Sequence, residues 1–282
     1  MTDTTTSALD WTYRREAERL KVYDLEVAVR RDGDGETLLF LHGVGFTRQW
    51  LPLYATLAKT LNVVAPEHPG FGDTTLPAYY RDFTDYVQHY DAFIAALGEG
   101  SESKKIHLAG HGLGARLAAH LATYYPSRFS SLTLIAPSGL RADDEPLIDL
   151  FRKSAEDLHA AEFNGRQDQF KEAFELKGFP EDTLDSYRDS TAHALMTWTN
   201  RFDVQLPHRL GRVAVPTLVI APEEDQIGGR SAAARYAELI PGAHLEKLAG
   251  PNGEPSSYAM TIEQPVEVAA LITAHVAACQ EK

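Results

Sequence analysis

The stretch Ile106-His107-Leu108-Ala109-Gly110-His111-Gly112-Leu113-Gly114 decides the fold. An apolar run climbs to Ala109 and turns through Gly-His-Gly-Leu-Gly. It then passes directly into Ala115-Arg116-Leu117-Ala118-Ala119-His120-Leu121, whose apolar spacing is helical. A strand that feeds a helix through so short a turn is the joint of a parallel α/β sheet. Four more short apolar runs, Thr37–Leu41, Leu61–Ala65, Leu132–Ala136 and Pro216–Ala221, read as buried parallel strands beside Lys105–Ala109. Helical patterns over Asp85–Leu97, Ala115–Tyr125 and Pro265–Ala278 alternate with them, and Leu20–Tyr23 and Glu26–Arg30 read as an antiparallel edge pair.

From about Leu140 to Pro207 the texture changes. Strand runs vanish, and aromatic residues such as Phe151, Phe163, Phe174, Tyr187 and Trp198 recur among charged ones at helical spacing. Residues 1–139 and 209–282 are therefore expected to build one core, and 140–208 a helical insertion.

A net charge of -13 excludes the basic face that nucleic-acid binding requires. The single cysteine, Cys279, permits no internal disulfide and suits a reducing cytosol. The first residues lack the pattern of a signal peptide, and no apolar run is long enough to span a bilayer. The chain is expected to be cytoplasmic and off the membrane, with homodimerisation left open.

In combination these features resemble the α/β-hydrolase superfamily, from roughly Leu20 to Val276. Leu41-His42-Gly43-Val44-Gly45 with Trp50 resembles its HG loop, and Ala65-Pro66-Glu67-His68-Pro69-Gly70-Phe71-Gly72-Asp73 resembles its D-x-P-G-x-G-x-S segment. Val213–Ile220 leading to Glu224-Asp225 resembles the strand that delivers the acidic triad member, and Glu263-Gln264-Pro265 resembles the opening of the last helix. The resemblance implies a mostly parallel sheet with helices on both faces, and makes the insertion a lid. It also implies a G-x-S-x-G nucleophile elbow, but the serine position holds Gly112. The histidine position holds Pro251, or Asn252 if the loop is realigned; His244 falls in the preceding strand. Asp225 alone remains of the three.

Gly112 has no atom with which to form an acyl-enzyme, and Pro251 cannot accept a proton, so ordinary serine hydrolysis is not expected. Glycine holds the elbow's unusual dihedrals without the penalty of about 1–3 kcal/mol that a Cβ pays there. The oxyanion hole implied by the resemblance is built from backbone N–H groups, here that of Leu113 and that of Val44 or Gly45, and outlasts the nucleophile.

Asp225 and His68 are the candidate acid–base groups. His42, Gly43 and His111, with Phe151, Phe174 and Trp198 from the insertion, are the candidate substrate-binding residues, although histidines at such turns more often pack than touch ligand. Ser256, Ser257 and Tyr258 follow the altered histidine loop and could reach the pocket mouth, but no base stands beside them in sequence. No phosphate-binding glycine motif is present and Glu223-Glu224-Asp225 supports a metal only weakly, so neither cofactor nor metal is expected.

The expected activity is non-hydrolytic, of lyase, cyclase or isomerase type, on a small apolar carbonyl compound held under an aromatic lid. Two alternatives stand beside it. One is a catalytically inactive ligand-binding protein. The other is a hydrolase of an ester, lactone or C–C bond that uses water or a displaced nucleophile.

Overall fold

The computed structural model describes residues 13–100, 104–140, 149–173, 175–198 and 202–280. Eight strands form one sheet: β1 (Glu18–Val22), β2 (Leu25–Asp32), β3 (Glu36–Leu41), β4 (Leu61–Pro66), β5 (Ile106–His111), β6 (Phe129–Ile135), β7 (Thr217–Pro222) and β8 (His244–Leu248). Their order across the sheet is β1-β2-β4-β3-β5-β6-β7-β8. The β1–β2 and β2–β4 pairings are antiparallel and the rest are parallel. This is the mostly parallel sheet that the alternating pattern predicts.

Because side chains alternate along a strand, the sheet has two hydrophobic faces. Leu39 and Leu41 enter one cluster, with α2 (Phe83–Ala96), α3 (Leu113–Tyr124) and α7 (Ala232–Leu239). Leu38 and Phe40 enter the other, with α1 (Pro52–Leu57), α8 (Met260–Glu263) and α9 (Pro265–Gln280). Full cover on both faces explains why the strands read as unbroken apolar runs. β5 runs two residues past Ala109 because Gly110 and His111 still pair with Leu134 and Ile135 of β6. That extension places the turn on Gly112.

Between β6 and β7 the described chain carries a 3-10 turn at Leu150–Arg152, α4 (Ala155–Glu162), a kinked 3-10 segment at Gln167–Ala173, α5 (Glu181–Thr197) and α6 (Leu206–Arg209). Ser154 caps α4 by accepting the Asp157 N–H, and Asp157 returns the bond, so the helix start is fixed. Leu206 is buried in the α2–α3 face of the core, so the chain rejoins the core just before Pro207. No helix among the described residues is long and apolar enough to cross a membrane.

Candidate functional site

Gly112 forms the corner between β5 and α3 with φ +54 and ψ −112, dihedrals that a Cβ disfavours. Its N–H donates to the Ile135 carbonyl at 2.9 Å, and its own carbonyl accepts from Arg116 and Ser138. The corner is therefore held from both sides. Leu113 starts the helix, so its N–H belongs to the first turn and has no partner within α3. Val44 faces it from the loop after β3, where Gly45 at φ +85 allows the tight turn. Gln49 clamps that loop, donating to the carbonyls of Gly45 and Ala173, both at 3.0 Å.

A cavity of about 820 Å³ lies over these two residues, walled by the insertion. Val44, Gly45, Leu113, Ile227 and Tyr258 line it from the core, and Phe151, Leu158, His159, Glu162 and His193 from the insertion. Polar and charged side chains such as Arg48, Lys171, Asp185 and Asp189 line it as well. The expected apolar pocket is thus a mixed one.

Tyr258 occupies the space that a side chain at position 112 would enter. A Cβ on Gly112 would collide with its hydroxyl, and one on Gly43 would stand 2.8 Å from the same oxygen. The phenol is 2% exposed and its ring packs on His111 at 4.3 Å between centroids. Burial pushes its pKa well above 10, and the charges of Glu162 and Asp225 add to the shift. The hydroxyl is accordingly a donor at any ordinary pH.

Glu162 is the other group that the site brings forward. It closes α4, and three residues earlier on the same face His159 places Nδ1 2.9 Å from its Oε2. Its Oε1 lies 3.1 Å from the point where a Cβ on Gly45 would stand, against the HG-type loop. Burial raises the carboxyl pKa, and His159 opposes that shift. The Glu162 carbonyl accepts the Ala259 N–H at 2.9 Å, which ties the base of α4 to the residue after Tyr258.

Several sequence-stated candidates stand elsewhere. His68 is fully buried behind the HG-type loop, with Nδ1 2.5 Å from the Tyr90 hydroxyl and Nε2 2.9 Å from the His42 carbonyl. Burial pushes its pKa down to about 4. Both nitrogens are engaged and the ring does not reach the cavity, so it is not an acid–base group there. His42 accepts the His68 N–H through Nε2 and stacks on its ring; it braces the loop rather than touching a ligand. Gly43 is covered by Tyr258 and His111. His111 lies behind Tyr258, donating from Nε2 to its carbonyl at 2.9 Å, and burial pushes its pKa down to about 4. It holds Tyr258 in place and does not wall the cavity.

Asp225 uses Oδ1 to accept the N–H groups of Ile227 and Gly228 at 2.8 and 2.7 Å, so it anchors the loop after β7. Pro251 and Asn252 sit in a 3-10 turn away from the cavity, with Asn252 at φ +56. Ser256 and Ser257 are structural: Ser256 donates to the Leu248 carbonyl and Ser257 to Glu263. Phe151 lines the cavity, whereas Trp198 is 64% exposed, with its ring 6.1 Å from that of Phe151. Phe174 lies outside the described residues. Val44 and Leu113 both line the cavity. The sequence reading missed Glu162 and His159. Their i, i+3 spacing in a capped helix was visible, but nothing in it told which face the core would cover.

Residues 38–271 match the alpha/beta hydrolase family. Monoacylglycerol lipase ABHD6 of Homo sapiens is 26% identical over 261 residues, covering 86% of this chain and 75% of the relative. Monoacylglycerol lipase abhd6-B of Xenopus laevis is 24% identical over 271 residues, covering 89% and 78%. Among solved structures, the enol-lactonase from Burkholderia xenovorans superposes with a TM-score of 0.73 at 15% identity, covering 92% of this chain and all of that one, a likeness of fold alone.

Proposed function

Because the chain belongs to the alpha/beta hydrolase family, we propose that it hydrolyses an ester, lactone or C–C bond beside a carbonyl, using water in place of the missing serine. The relatives named as monoacylglycerol lipases support this over the lyase, cyclase or isomerase chemistry expected at first. The observation that carries the reading is Glu162, a buried carboxylate set against the loop of Val44 and held by His159. Insertion 140–208 acts as the lid that brings this carboxylate over the core.

Water attacks the carbonyl carbon while Glu162 takes its proton, and the amides of Val44 and Leu113 hold the developing oxyanion. The tetrahedral intermediate then collapses, and the leaving alkoxide or carbanion recovers the proton from Glu162. Substrate of mixed character suits the cavity: an apolar body with polar substituents. Turnover of 4-nitrophenyl butyrate, measured with and without a fluorophosphonate, tests the reading. Hydrolysis should persist with no mass adduct, since Gly112 offers no hydroxyl. Glu162→Gln should lower kcat about 10²–10⁴-fold, the usual worth of a positioned base. In the wild type the acid limb of the rate profile should lie above the ordinary glutamate value of 4.5, because the Glu162 pKa is raised and the base must be ionised to act. Inhibition by stoichiometric labelling of a cavity serine, such as Ser138, would defeat it.

A second reading, a ligand-binding protein without turnover, is favoured by one observation: the Tyr258 phenol closes the nucleophile slot. Saturable ester binding without hydrolysis would establish it.

A further inference from the structure

Tyr258 does more than fill the slot left by serine. Its hydroxyl lies beside both Gly43 and Gly112, the residues that immediately precede the two oxyanion amides of Val44 and Leu113. It lines the cavity, and the hydrogen bonds of the described residues include none from its oxygen, while the buried Nδ1 of His111 on the same side of Gly43 is unpartnered as well. A phenol placed with such care and left unspent within the protein has its partner in the ligand. We infer that Tyr258 is a catalytic residue whose hydroxyl donates a third hydrogen bond to the substrate carbonyl oxygen, alongside the Val44 and Leu113 amides.

The surroundings fit that role. His111 fixes the phenol twice, by stacking on the ring and by donating to the Tyr258 carbonyl, which makes His111 a positioning residue. Ala259, the next residue, is bonded to the Glu162 carbonyl, so donor and base share one frame. Burial and the nearby carboxylates keep the phenol protonated, as a donor must be. A backbone oxyanion hole beside a serine leaves no room for such a phenol. The loss of the side chain at position 112 creates it.

This inference rests on the hydrolytic reading for its meaning in turnover, but not for its test. The probe is 4-phenyl-2-butanone labelled with ¹³C at the carbonyl, a ketone that water cannot cleave, followed by infrared difference spectroscopy on the full chain. The bound band should shift to lower frequency in the wild type, and much of that shift should vanish in Tyr258→Phe. Placing 3-fluorotyrosine at 258 keeps ring and hydroxyl but strengthens the donor, and should move the band further down. With 4-nitrophenyl butyrate, Tyr258→Phe should cost about 10²–10³-fold in kcat with KM little changed, as for other oxyanion donors. No saturable binding of the ketone, an unshifted band, or an identical band in both proteins overturns the inference while leaving hydrolysis by Glu162 intact. A Tyr258-dependent shift in a protein that hydrolyses nothing sustains the donor and removes the hydrolytic reading.

Discussion

At position 112 the backbone and the neighbouring phenol act together. Positive φ costs a β-carbon residue about 1–3 kcal/mol, which natural elbows bear for the sake of the nucleophile. Here that cost is gone, and Tyr258 has taken the space. Gly112→Ser therefore meets two penalties, the dihedral strain and a collision with the Tyr258 hydroxyl. We expect the variant to melt several degrees below the wild type and to gain no turnover on 4-nitrophenyl butyrate. A serine there would also need an imidazole oriented by a carboxylate, and Oδ1 of Asp225 is held instead by the Ile227 and Gly228 amides. Gly112→Ser with Tyr258→Ala should recover part of the stability by relieving the collision, still without a serine-dependent activity. A single variant that is as stable as the wild type and hydrolyses briskly through a fluorophosphonate-reactive serine would show that the slot was never filled as described.

The site's precision depends on α3, whose first residue presents Leu113 and whose length runs back along the sheet. Its middle turns face Asp203, near the end of the insertion. Oδ2 of Asp203 accepts from His120 at 2.7 Å and Arg116 at 3.3 Å, while Oδ1 caps α6 through the N–H groups of Gln205 and Leu206. Burial alone would raise this carboxyl, but the His120 bond and the Arg116 charge outweigh it and hold the pKa well below the ordinary 3.8. The folded pKa being depressed, the stabilisation is complete above pH 3.8 and is lost as the pH falls through the folded value. Asp203→Asn should cost about 3–5 kcal/mol near neutrality, because it removes a buried negative charge that faces Arg116. Urea unfolding at pH 7 and again near pH 3 measures it, and the gap between variant and wild type should narrow at the lower pH. A constant gap would mean that the hydrogen bonds, not the charge, do the holding. Elements of this kind were legible in the sequence: five of the six parallel strands stand where the apolar runs stand, and the corner falls at the glycine turn. The chemistry was less so. His68 and His111 look like functional histidines by type, yet His68 spends its nitrogens on the Tyr90 hydroxyl and the His42 carbonyl and His111 spends Nε2 on the Tyr258 carbonyl, and a linear chain does not show which side of a turn is covered. Tyr258 was noticed only as a residue near the mouth, since its meeting with Gly112 spans 146 positions of sequence.

Across the whole molecule, the proposed hydrolysis requires that the insertion and the core keep a fixed relation, for Glu162 belongs to one and Leu113 to the other. Two anchors fix it. At the α5 end Arg48 of the core reaches Asp185 and Asp189 at 3.2 and 3.4 Å, and Asp189 also accepts the Gly72 N–H at 3.0 Å. At the α4 end Arg166 forms a two-pronged bond to Glu263, both contacts at 3.0 Å, and also reaches the Pro255 carbonyl at 3.1 Å. The side chain of Glu263 is 1% exposed, so removing its partner strands a buried charge. Arg166→Met should therefore loosen the α4 end at a local cost of about 3–5 kcal/mol, while the sheet, whose core contains neither residue, keeps its protection. Hydrogen exchange read by mass spectrometry should show faster exchange across Ala155–Glu162 and the Tyr258 loop, with β3 to β7 unchanged. Since base and oxyanion amides would then lose their common frame, hydrolysis should fall through kcat well before the melting temperature does. Uniformly faster exchange through the sheet would instead make Arg166 a part of the global core. Unchanged exchange in α4 would mean that the ties of Arg48, Gln49 and the Ala259 amide hold the insertion without Arg166.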